Sequence, residues 1–409
     1  MAGPLNGVRV LDVTSVLMGP FATQILGDLG AEILKVEPLR GDDTRFTGYA
    51  RHRGMGSSFL NTNRNKKSIA VDLKSVAGRE LVLRLASSCD AFVSNIRPNA
   101  LTRLGLDYAG VSIANPSIVY VNLVGYGRNG RYANRPAYDD LIQAVSGVAM
   151  LNLRASGDAP RYVPLAMVDR IVGTSAVNAI LAGLLHRHRA GVGQEIEVPM
   201  FETMTQFVLG DHLQGRSFVP PVGPAGYARL LSPNRRPFAT SDGFVAVLPY
   251  NDAQWRRYFE AVGLAELAGD KRFSDMASRA ANIDALYAIV GKVLLERTTA
   301  AWLEILDAAD IPAMPLHTID TILDDPHLRD VGFLRTMEHP TEGEILTIGV
   351  PTSWSATAPD PISPAPRLGQ HTEEILAIAG LSSAEISDLI GSGIVRASDE
   401  IGDAAAGGT

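Results

Sequence analysis

Apolar runs alternate with amphipathic stretches through the first half of the chain. The segment "VRVLDV" at 8–13, a helical pattern at 19–31 and "EILKVE" at 32–37 give strand, helix and strand. This order predicts a right-handed parallel βαβ unit, because parallel strands need a long crossover. Further strands are predicted at 67–73, 91–96, 117–124 and 194–200. The alternation is typical of a large doubly wound, Rossmann-like α/β domain built on a parallel sheet.

The pattern changes after about residue 210. Proline and glycine crowd the stretch from Gly210 to Asn234, which has no apolar period and therefore predicts a connecting loop. A strand at 243–250 and helices at 251–263 and within 281–311 predict a smaller α+β domain. The predicted organisation is a large domain at 1–210, a linker at 211–234, a small domain at 235–325, a C-terminal return to the large domain at 326–395 and a disordered tail at 396–409.

Composition narrows the function classes. The 409 residues are 46% hydrophobic and 20% charged with a net charge of -7, which argues against a general nucleic-acid-binding surface. The single cysteine, Cys89, cannot form an internal disulfide, and the N-terminal sequence shows no basic segment before an apolar core, so we expect a cytoplasmic protein. The apolar run at 171–185 is shorter than the roughly 18 residues that span a bilayer, which predicts a buried helix and no membrane association.

Familiar catalytic motifs are absent or misplaced. "GYGRNG" at 125–130 has the glycine spacing of a dinucleotide loop, but Arg135-Pro136 delays the next helix until about Tyr138, so the stretch predicts a surface turn. No Gly-x-Ser-x-Gly elbow occurs, which argues against a serine hydrolase. One cysteine and eight scattered histidines predict no metal site.

One acid has an unusual position. Asp169 lies between an extended apolar segment and a long apolar helix, about where the helix N-cap would fall. Asp is a preferred N-cap residue, and capping alone would explain it. A carboxylate in such an apolar setting is also suited to nucleophilic catalysis, and both roles are compatible.

Several segments, in order, resemble the class III CoA-transferases of the CaiB/BaiF type, which include formyl-CoA:oxalate and carnitine CoA-transferases. The segments that carry the resemblance are "PLNGVRVLDVTSVLMGPFATQILGDLGAEILKVE", "NRNKKSIAVDLK", "SNIRPNALTRLGLDY", "AYDDLIQAVSGVAM", the Asp169 segment and "PAPRLGQHTEEIL". The likeness covers about residues 4 to 395 and is specific for the family, but only weakly for the substrate. It implies that the chain moves CoA from an acyl-CoA thioester to a free carboxylic acid, with Asp169 as nucleophile and with mixed-anhydride and aspartyl-CoA intermediates. It also implies that CoA is a substrate and not a tightly bound cofactor, and that two chains form an interlocked homodimer.

The resemblance also implies the remaining site residues. Val71 and Leu73 are expected beside the adenine, and Arg103 is expected at a phosphate, with a surface salt bridge as the alternative. Tyr138 and Asp139 are expected to face the nucleophile and substrate, with capping of the next helix as the alternative. The implied CoA contacts are Val16, Arg40, Val71, Leu73, Asn95, Ile96 and Arg103, with Arg45 as a further phosphate partner.

Departures from the family pattern leave the substrate open. The racemase branch of the superfamily carries a histidine where this chain has Tyr138, which favours transfer over the alternative of an acyl-CoA racemase or isomerase. A catalytically silent CoA-binding protein is a further alternative. Arg229, Arg235 and Arg236 either recognise a second carboxylate on an acceptor acid or form a solvated basic loop.

Overall fold

The computed structural model describes residues 3–359 and 363–398. The chain divides into two compact units, each considered by itself. Unit 1 comprises the described residues of Met1–Ser146, Pro164–Thr205 and Pro326–Thr409, and unit 2 comprises Gly147–Val163 and Gln206–Asp325. Residues 147–163, which the sequence analysis assigned to the large domain, therefore group with the smaller unit. Residues 399–409 of the predicted disordered tail lie outside the described residues.

Twelve strands occur in the described residues. They are β1 (Arg9–Val13), β2 (Glu32–Glu37), β3 (Lys66–Val71), β4 (Ala91–Ser94), β5 (Val119–Val124), β6 (Gln194–Pro199), β7 (Phe238–Ala239), β8 (Phe244–Val247), β9 (Ala313–Pro315), β10 (Leu334–His339), β11 (Gly343–Ile348) and β12 (Val395–Arg396).

Sixteen α-helices occur in the same residues. They are α1 (Met18–Asp28), α2 (Ser57–Leu60), α3 (Val76–Ala86), α4 (Pro98–Leu104), α5 (Tyr108–Ala114), α6 (Asp139–Val145), α7 (Val148–Ser156), α8 (Met167–Ala190), α9 (Met200–His212), α10 (Asp252–Ala261), α11 (Met276–Ala281), α12 (Ile283–Leu294), α13 (Thr299–Ala308), α14 (Pro326–Asp330), α15 (Thr372–Ile378) and α16 (Ser383–Gly391).

Unit 1 is built on a seven-stranded sheet with the order β12-β3-β2-β1-β4-β5-β6. Strands β1 to β6 run parallel, as the βαβ pattern predicts. The inner strands are largely buried, and β5 is buried along its whole length, because helices cover both faces of the sheet. Helices α1 and α8 pack together on one side, while α3 and α5 contribute to a second apolar cluster against the sheet. The predicted doubly wound α/β fold is confirmed.

The end of the described chain returns to this sheet. β12 pairs antiparallel with β3, Val395 opposite Val71, and α15 packs on β3. The sequence analysis places the start of the disordered tail at residue 396, which is too early because Arg396 belongs to β12. The return of the C-terminal segment to the large domain is confirmed by these contacts.

Helix α8 is long and apolar enough to cross a bilayer by length and hydropathy alone. In unit 1 it packs against α1, β5 and β6, and its buried positions, from Val168 to Gly183, recur at helical spacing on one face. Gly173 permits the approach of α1, since a Cβ atom there would lie 2.9 Å from the Met18 carbonyl oxygen. These contacts are those of a core helix of an α/β domain.

Unit 2 has its own apolar core. Its three-stranded antiparallel sheet has the order β7-β8-β9, and α10, α12 and α13 bury aromatic and aliphatic side chains against it. Trp302 and Phe259 are at most 2% exposed in this core. The unit is α+β, as the sequence pattern predicts for the smaller domain.

Candidate active site

A cavity of about 520 Å³ in unit 1 lies beyond the carboxyl ends of β1, β4, β5 and β6. The chain leaves β1 toward β2 and β3 on one side and later returns to β4 and β5 on the other, so the cavity lies at the switch point of the sheet. Ligand sites of open α/β sheets form there because neighbouring loops diverge. The lining residues are Ser15, Val16, Leu17, Met18, Asp43, Asn95, Arg97, Pro98, Asn99, Ala100, Arg103, Leu123, Val124, Gly125, Ala133, Asn134, Arg135, Ala137, Tyr138, Asp139, Asp169 and Met200.

Asp169 lies in the first turn of α8 and not at its N-cap. The N-cap is Ala166, which provides no side-chain hydrogen bond, so the capping interpretation of Asp169 is wrong. The backbone N–H of Asp169 instead donates to Oδ2 of Asp139, at 3.0 Å. Asp139 thus satisfies one of the free amides at the start of α8, while Gln143 Nε2 donates to its other carboxylate oxygen at 2.6 Å. Capping of α6 by Asp139, the alternative left open above, does not occur.

The Asp169 carboxylate accepts no hydrogen bond from any residue in the described part of the chain, although its side chain lines the cavity. Burial raises its pKa, the adjacent Asp139 carboxylate raises it further, and Arg170 lowers it, so that the pKa of Asp169 is about 6. The group is therefore mostly ionised at neutral pH, yet it is poorly solvated and unpaired. Such a carboxylate is a better nucleophile than one in bulk water.

The loop between β1 and α1 forms one wall of the cavity in an unusual backbone conformation. Val16 has φ of 70°, which is rare for a β-branched residue because its side chain crowds the backbone there. Two side chains fix the loop. Asn95 accepts from the Ser15 N–H at 3.0 Å and donates to its carbonyl oxygen at 2.8 Å, and Asp42 accepts from the Val16 N–H at 3.2 Å.

Two buried ion pairs stabilise the loop between β1 and α1. Asp12 and Lys66 form a pair of 3.0 Å with both side chains fully buried, and Lys35 pairs with Asp42 at 3.1 Å. Lys35 also donates to the Thr14 carbonyl oxygen, so the second pair is tied directly to the loop. Burial raises the pKa of Asp12, but attraction to Lys66 and Lys35 outweighs it and lowers the pKa to about 2. Burial lowers the pKa of Lys66 to about 8 because Asp12 offsets only part of the desolvation.

Arg45 and Glu37 are structural in this fold. Arg45 makes two hydrogen bonds of 2.7 Å to Glu37, its guanidinium stacks on Phe59 at 3.7 Å, and both charged side chains are 1% exposed. Arg45 therefore has no surface with which to contact a phosphate. The prediction that it is a phosphate partner is wrong for this reason.

Three arginines line the cavity, and none has a carboxylate partner among residues 3–359 and 363–398. Arg97, Arg103 and Arg135 are exposed, and the guanidinium of Arg135 lies over the Tyr132 ring. Of these, only Arg103 was expected from the sequence. Arg97 stands in the same "NIRPNALTR" segment, and Arg135 directly precedes "PAYDD", so their positions beside expected residues were the available signal. Together they make the cavity suited to a multiply charged anion.

Six of the predicted site residues meet in this cavity, but five, Arg45 among them, do not. Those that line it are Val16, Asn95, Arg103, Tyr138, Asp139 and Asp169. Arg40 is exposed and forms an ion pair of 3.0 Å with Asp43, itself a lining residue. Val71 is 1% exposed in the core, and Leu73 and Ile96 pack against the same apolar cluster. In this structure the Val71 side chain has no free surface to place beside an adenine.

The glycine-rich stretch after β5 is a turn, as predicted. The Gly127 and Arg128 amides donate to Glu202 and Glu197, and Arg128 also binds Glu195 through its side chain. The next helix is α6, which starts at Asp139. The amides that would face a dinucleotide are thus occupied by glutamates of this chain.

Comparison with known proteins gives consistent matches over nearly the whole chain. The family described as CoA-transferase family III matches residues 5–372. A mouse succinyl-CoA:glutarate CoA-transferase is 36% identical over 399 residues, covering 96% of this chain and 90% of that protein. A succinate–glutarate CoA-transferase of Agrobacterium fabrum is 31% identical over 388 residues, covering 91% and 95%. The crystal structure of a CaiB/BaiF family protein from Brucella suis superposes with a TM-score of 0.77 at 29% identity, covering 93% of this chain and all of that one.

Proposed function

Because this chain belongs to CoA-transferase family III, we propose that Asp169 is the nucleophile that carries the acyl group while CoA passes from a thioester to a free carboxylic acid. The observation that carries the proposal is an unpaired carboxylate with a raised pKa in a cavity lined by three arginines without carboxylate partners in the described residues. The carboxylate provides the nucleophile, and the arginines suit the phosphates of CoA.

The proposed chemistry has four balanced steps. A carboxylate oxygen of Asp169 attacks the thioester carbonyl, the C–S bond breaks, and CoA leaves as a thiolate from an aspartyl mixed anhydride. The thiolate then attacks the aspartyl carbonyl and releases the donor acid, which leaves an aspartyl-CoA thioester. The acceptor carboxylate attacks this thioester to form a second anhydride and free the thiolate. Attack of the thiolate on the acceptor's acyl carbonyl gives the new acyl-CoA and restores Asp169, so the activated bond is conserved without ATP.

Neighbouring groups support these steps in distinct ways. Asp139 fixes the start of α8 through the Asp169 amide and thereby orients the nucleophile. Asn95 and Asp42 hold the loop that carries Val16 against the cavity. Each intermediate can hydrolyse, so the partial burial of Asp169 also favours transfer.

We further propose that the substrates are short dicarboxylic acids and their CoA thioesters. The support is that the mouse and Agrobacterium relatives are both named for succinate or succinyl-CoA and glutarate. The experiment is a transfer assay with succinyl-CoA and, separately, glutarate, oxalate or acetate, in which chromatography identifies every acyl-CoA. We expect glutaryl-CoA and free succinate in equal amounts. Deuterium uptake at the α-carbon of a branched acyl-CoA without exchange would favour the racemase alternative. Binding of the acyl-CoA with neither exchange nor deuterium uptake would favour the silent-protein alternative.

The family resemblance also leads us to propose a homodimer with interlocked chains. Its support is that unit 1, taken as a single chain, exposes the large apolar side chains of Leu141, Val145 and Leu165 by 45% or more. Light scattering should then give about twice the chain mass of 43.6 kDa, and the mass should persist on strong dilution. A mass equal to one chain would contradict the proposal.

The raised pKa of Asp169 predicts an acid limb in the activity profile. Since the ionised form is the nucleophile, kcat/KM should fall as pH decreases through about 6. The Asp139→Asn variant keeps an oxygen that accepts from the Asp169 amide but removes the negative charge that raises the pKa of Asp169. Its acid limb should therefore move to lower pH. Asp140→Asn, an exposed neighbour, is the control and should leave the midpoint in place; an unmoved midpoint in Asp139→Asn would contradict the assignment.

A further inference from the structure

Unit 2 contains a separate cavity of about 500 Å³ that the proposed transfer chemistry does not use. Its apolar wall comes from Phe238 and the ends of β8 and β9, including Leu248 and Met314. These last two side chains are 44% and 67% exposed, so the wall has free apolar surface. A volume of this size suits a small organic molecule.

Three arginines of the loop before β7 line the same cavity: Arg229, Arg235 and Arg236. Arg235 and Arg236 are exposed, and within the part of the chain that the structure describes their guanidinium groups have no hydrogen-bond or ion-pair partner. Arg229 is half-buried beside the hydroxyls of Tyr287 and Tyr227, which outweigh the effect of burial and raise its pKa. No carboxylate in the described residues neutralises any of the three.

The loop that carries these arginines is held in place from within unit 2. Ser232 is 4% exposed, and its hydroxyl donates to Asp284 in the first turn of α12. The same hydroxyl oxygen accepts from the Asn234 amide at 3.2 Å, and the Arg235 amide donates to the Ser232 carbonyl at 3.1 Å. The backbone of the two exposed arginines is therefore fixed, which reduces the entropy lost on binding an anion.

We propose that this cavity is a binding site for a free organic carboxylic acid with an apolar body. The planar guanidinium groups of these arginines can donate paired hydrogen bonds to a carboxylate, and the apolar wall can bury the rest of the molecule. A small inorganic anion would leave that wall uncovered, and a neutral apolar molecule would leave the cations unpaired. The choice of a carboxylate among organic anions rests on the proposed function, since a CoA-transferase must handle free acids.

The test uses the full-length protein labelled with ¹³C at the methionine methyl groups. Met314 lines this cavity, Met18 and Met200 line the Asp169 cavity, and Met276 is exposed in unit 2 and lines neither. Titration with hexanoate should shift the Met314 signal in a saturable way and leave Met276 in place. Hexanol, hexylamine and inorganic phosphate should shift Met314 much less at the same concentration.

Matched variants then assign the effect to the arginines. The double variant R235Q/R236Q should weaken the hexanoate response at Met314 by about tenfold or more, whereas R256Q, an exposed arginine of α10, should not change it. Both altered arginines are exposed, and unchanged signals of the other methionines check that the fold is intact. An unmoved Met314 signal, equal binding of hexanol, or an unaffected double variant would overturn the proposal. Because the readout is binding and needs no turnover, it is separable from failure of the transfer assay.

Discussion

Replacing Asp169 with asparagine should reduce CoA exchange between a thioester and a free acid by at least about 1,000-fold. Asparagine is close in size and keeps the first turn of α8, but its amide cannot form the anhydride or the thioester. The decrease should appear in kcat, because the missing group takes part in bond formation. Binding of CoA should persist, since the three cavity arginines remain. Steady-state exchange and direct titration with CoA measure the two effects.

The stability of Asp169→Asn shows whether its loss of activity comes from misfolding. The folded-state pKa of Asp169, about 6, lies above its ordinary value of 3.8, so folding favours the protonated group. That contribution is present below the ordinary pKa and is lost as pH rises through 6. At pH 7 the ionised carboxylate therefore destabilises the fold by at most about 3 kcal/mol, and Asp169→Asn should be as stable as the parent or more so. The control Asp140→Asn should retain activity; exchange at the parental rate in Asp169→Asn would refute the nucleophile.

The second large effect concerns the buried Asp12–Lys66 ion pair next to the loop between β1 and α1. Asp12→Ala should destabilise the protein by about 3–5 kcal/mol at neutral pH, because it leaves the buried ammonium of Lys66 without its partner. Urea denaturation followed by circular dichroism should show the transition at lower denaturant. Glu374→Ala, which breaks a half-exposed pair of 2.7 Å with Lys67 in the same unit, is the control and should cost less than about 1 kcal/mol.

The pH dependence of the stability lost in Asp12→Ala identifies the cause of that loss. Burial already lowers the pKa of Lys66 to about 8, and loss of Asp12 removes the main attraction that opposes this shift. The unfolded chain then binds the proton more tightly than the folded one, so stability rises with pH between the folded and unfolded pKa values. The difference in the free energy of unfolding between the parent and Asp12→Ala should therefore become smaller from pH 7 to pH 10. A constant difference would show that lost packing, and not the unpaired charge, is responsible.

Sequence periodicity predicted the elements that position the site. Strands β1 to β5 each contain several apolar residues, and α8 is a long apolar helix. The order of these elements is sufficient to place the loops after β1, β4 and β5 at one edge. Since parallel strands carry their functional residues at that edge, Val16, Asn95 and Asp169 meet there in the structure.

The buried charges could not be predicted in the same way. Charged residues are usually exposed, so nothing in the local sequence indicates that Arg45, which the family resemblance places at a phosphate, is buried against Glu37. Their pairing depends on a contact between the end of β2 and the following 3₁₀ turn, which no local pattern records. The positive φ of Val16 is likewise imposed by Asp42 and Asn95 from other segments.

The interrupted layout of unit 1 has a consequence for biosynthesis. Its segments are separated in the chain by Gly147–Val163 and Gln206–Asp325, and β12 cannot pair with β3 until residue 396 has left the ribosome. The edge of β3 therefore stays open during most of translation, when nascent chains are prone to pair with one another. The second unit is contiguous from 206 to 325 apart from one short segment, and that segment emerges before it. Unit 2 can therefore fold before β12, the last strand of unit 1, has been synthesised.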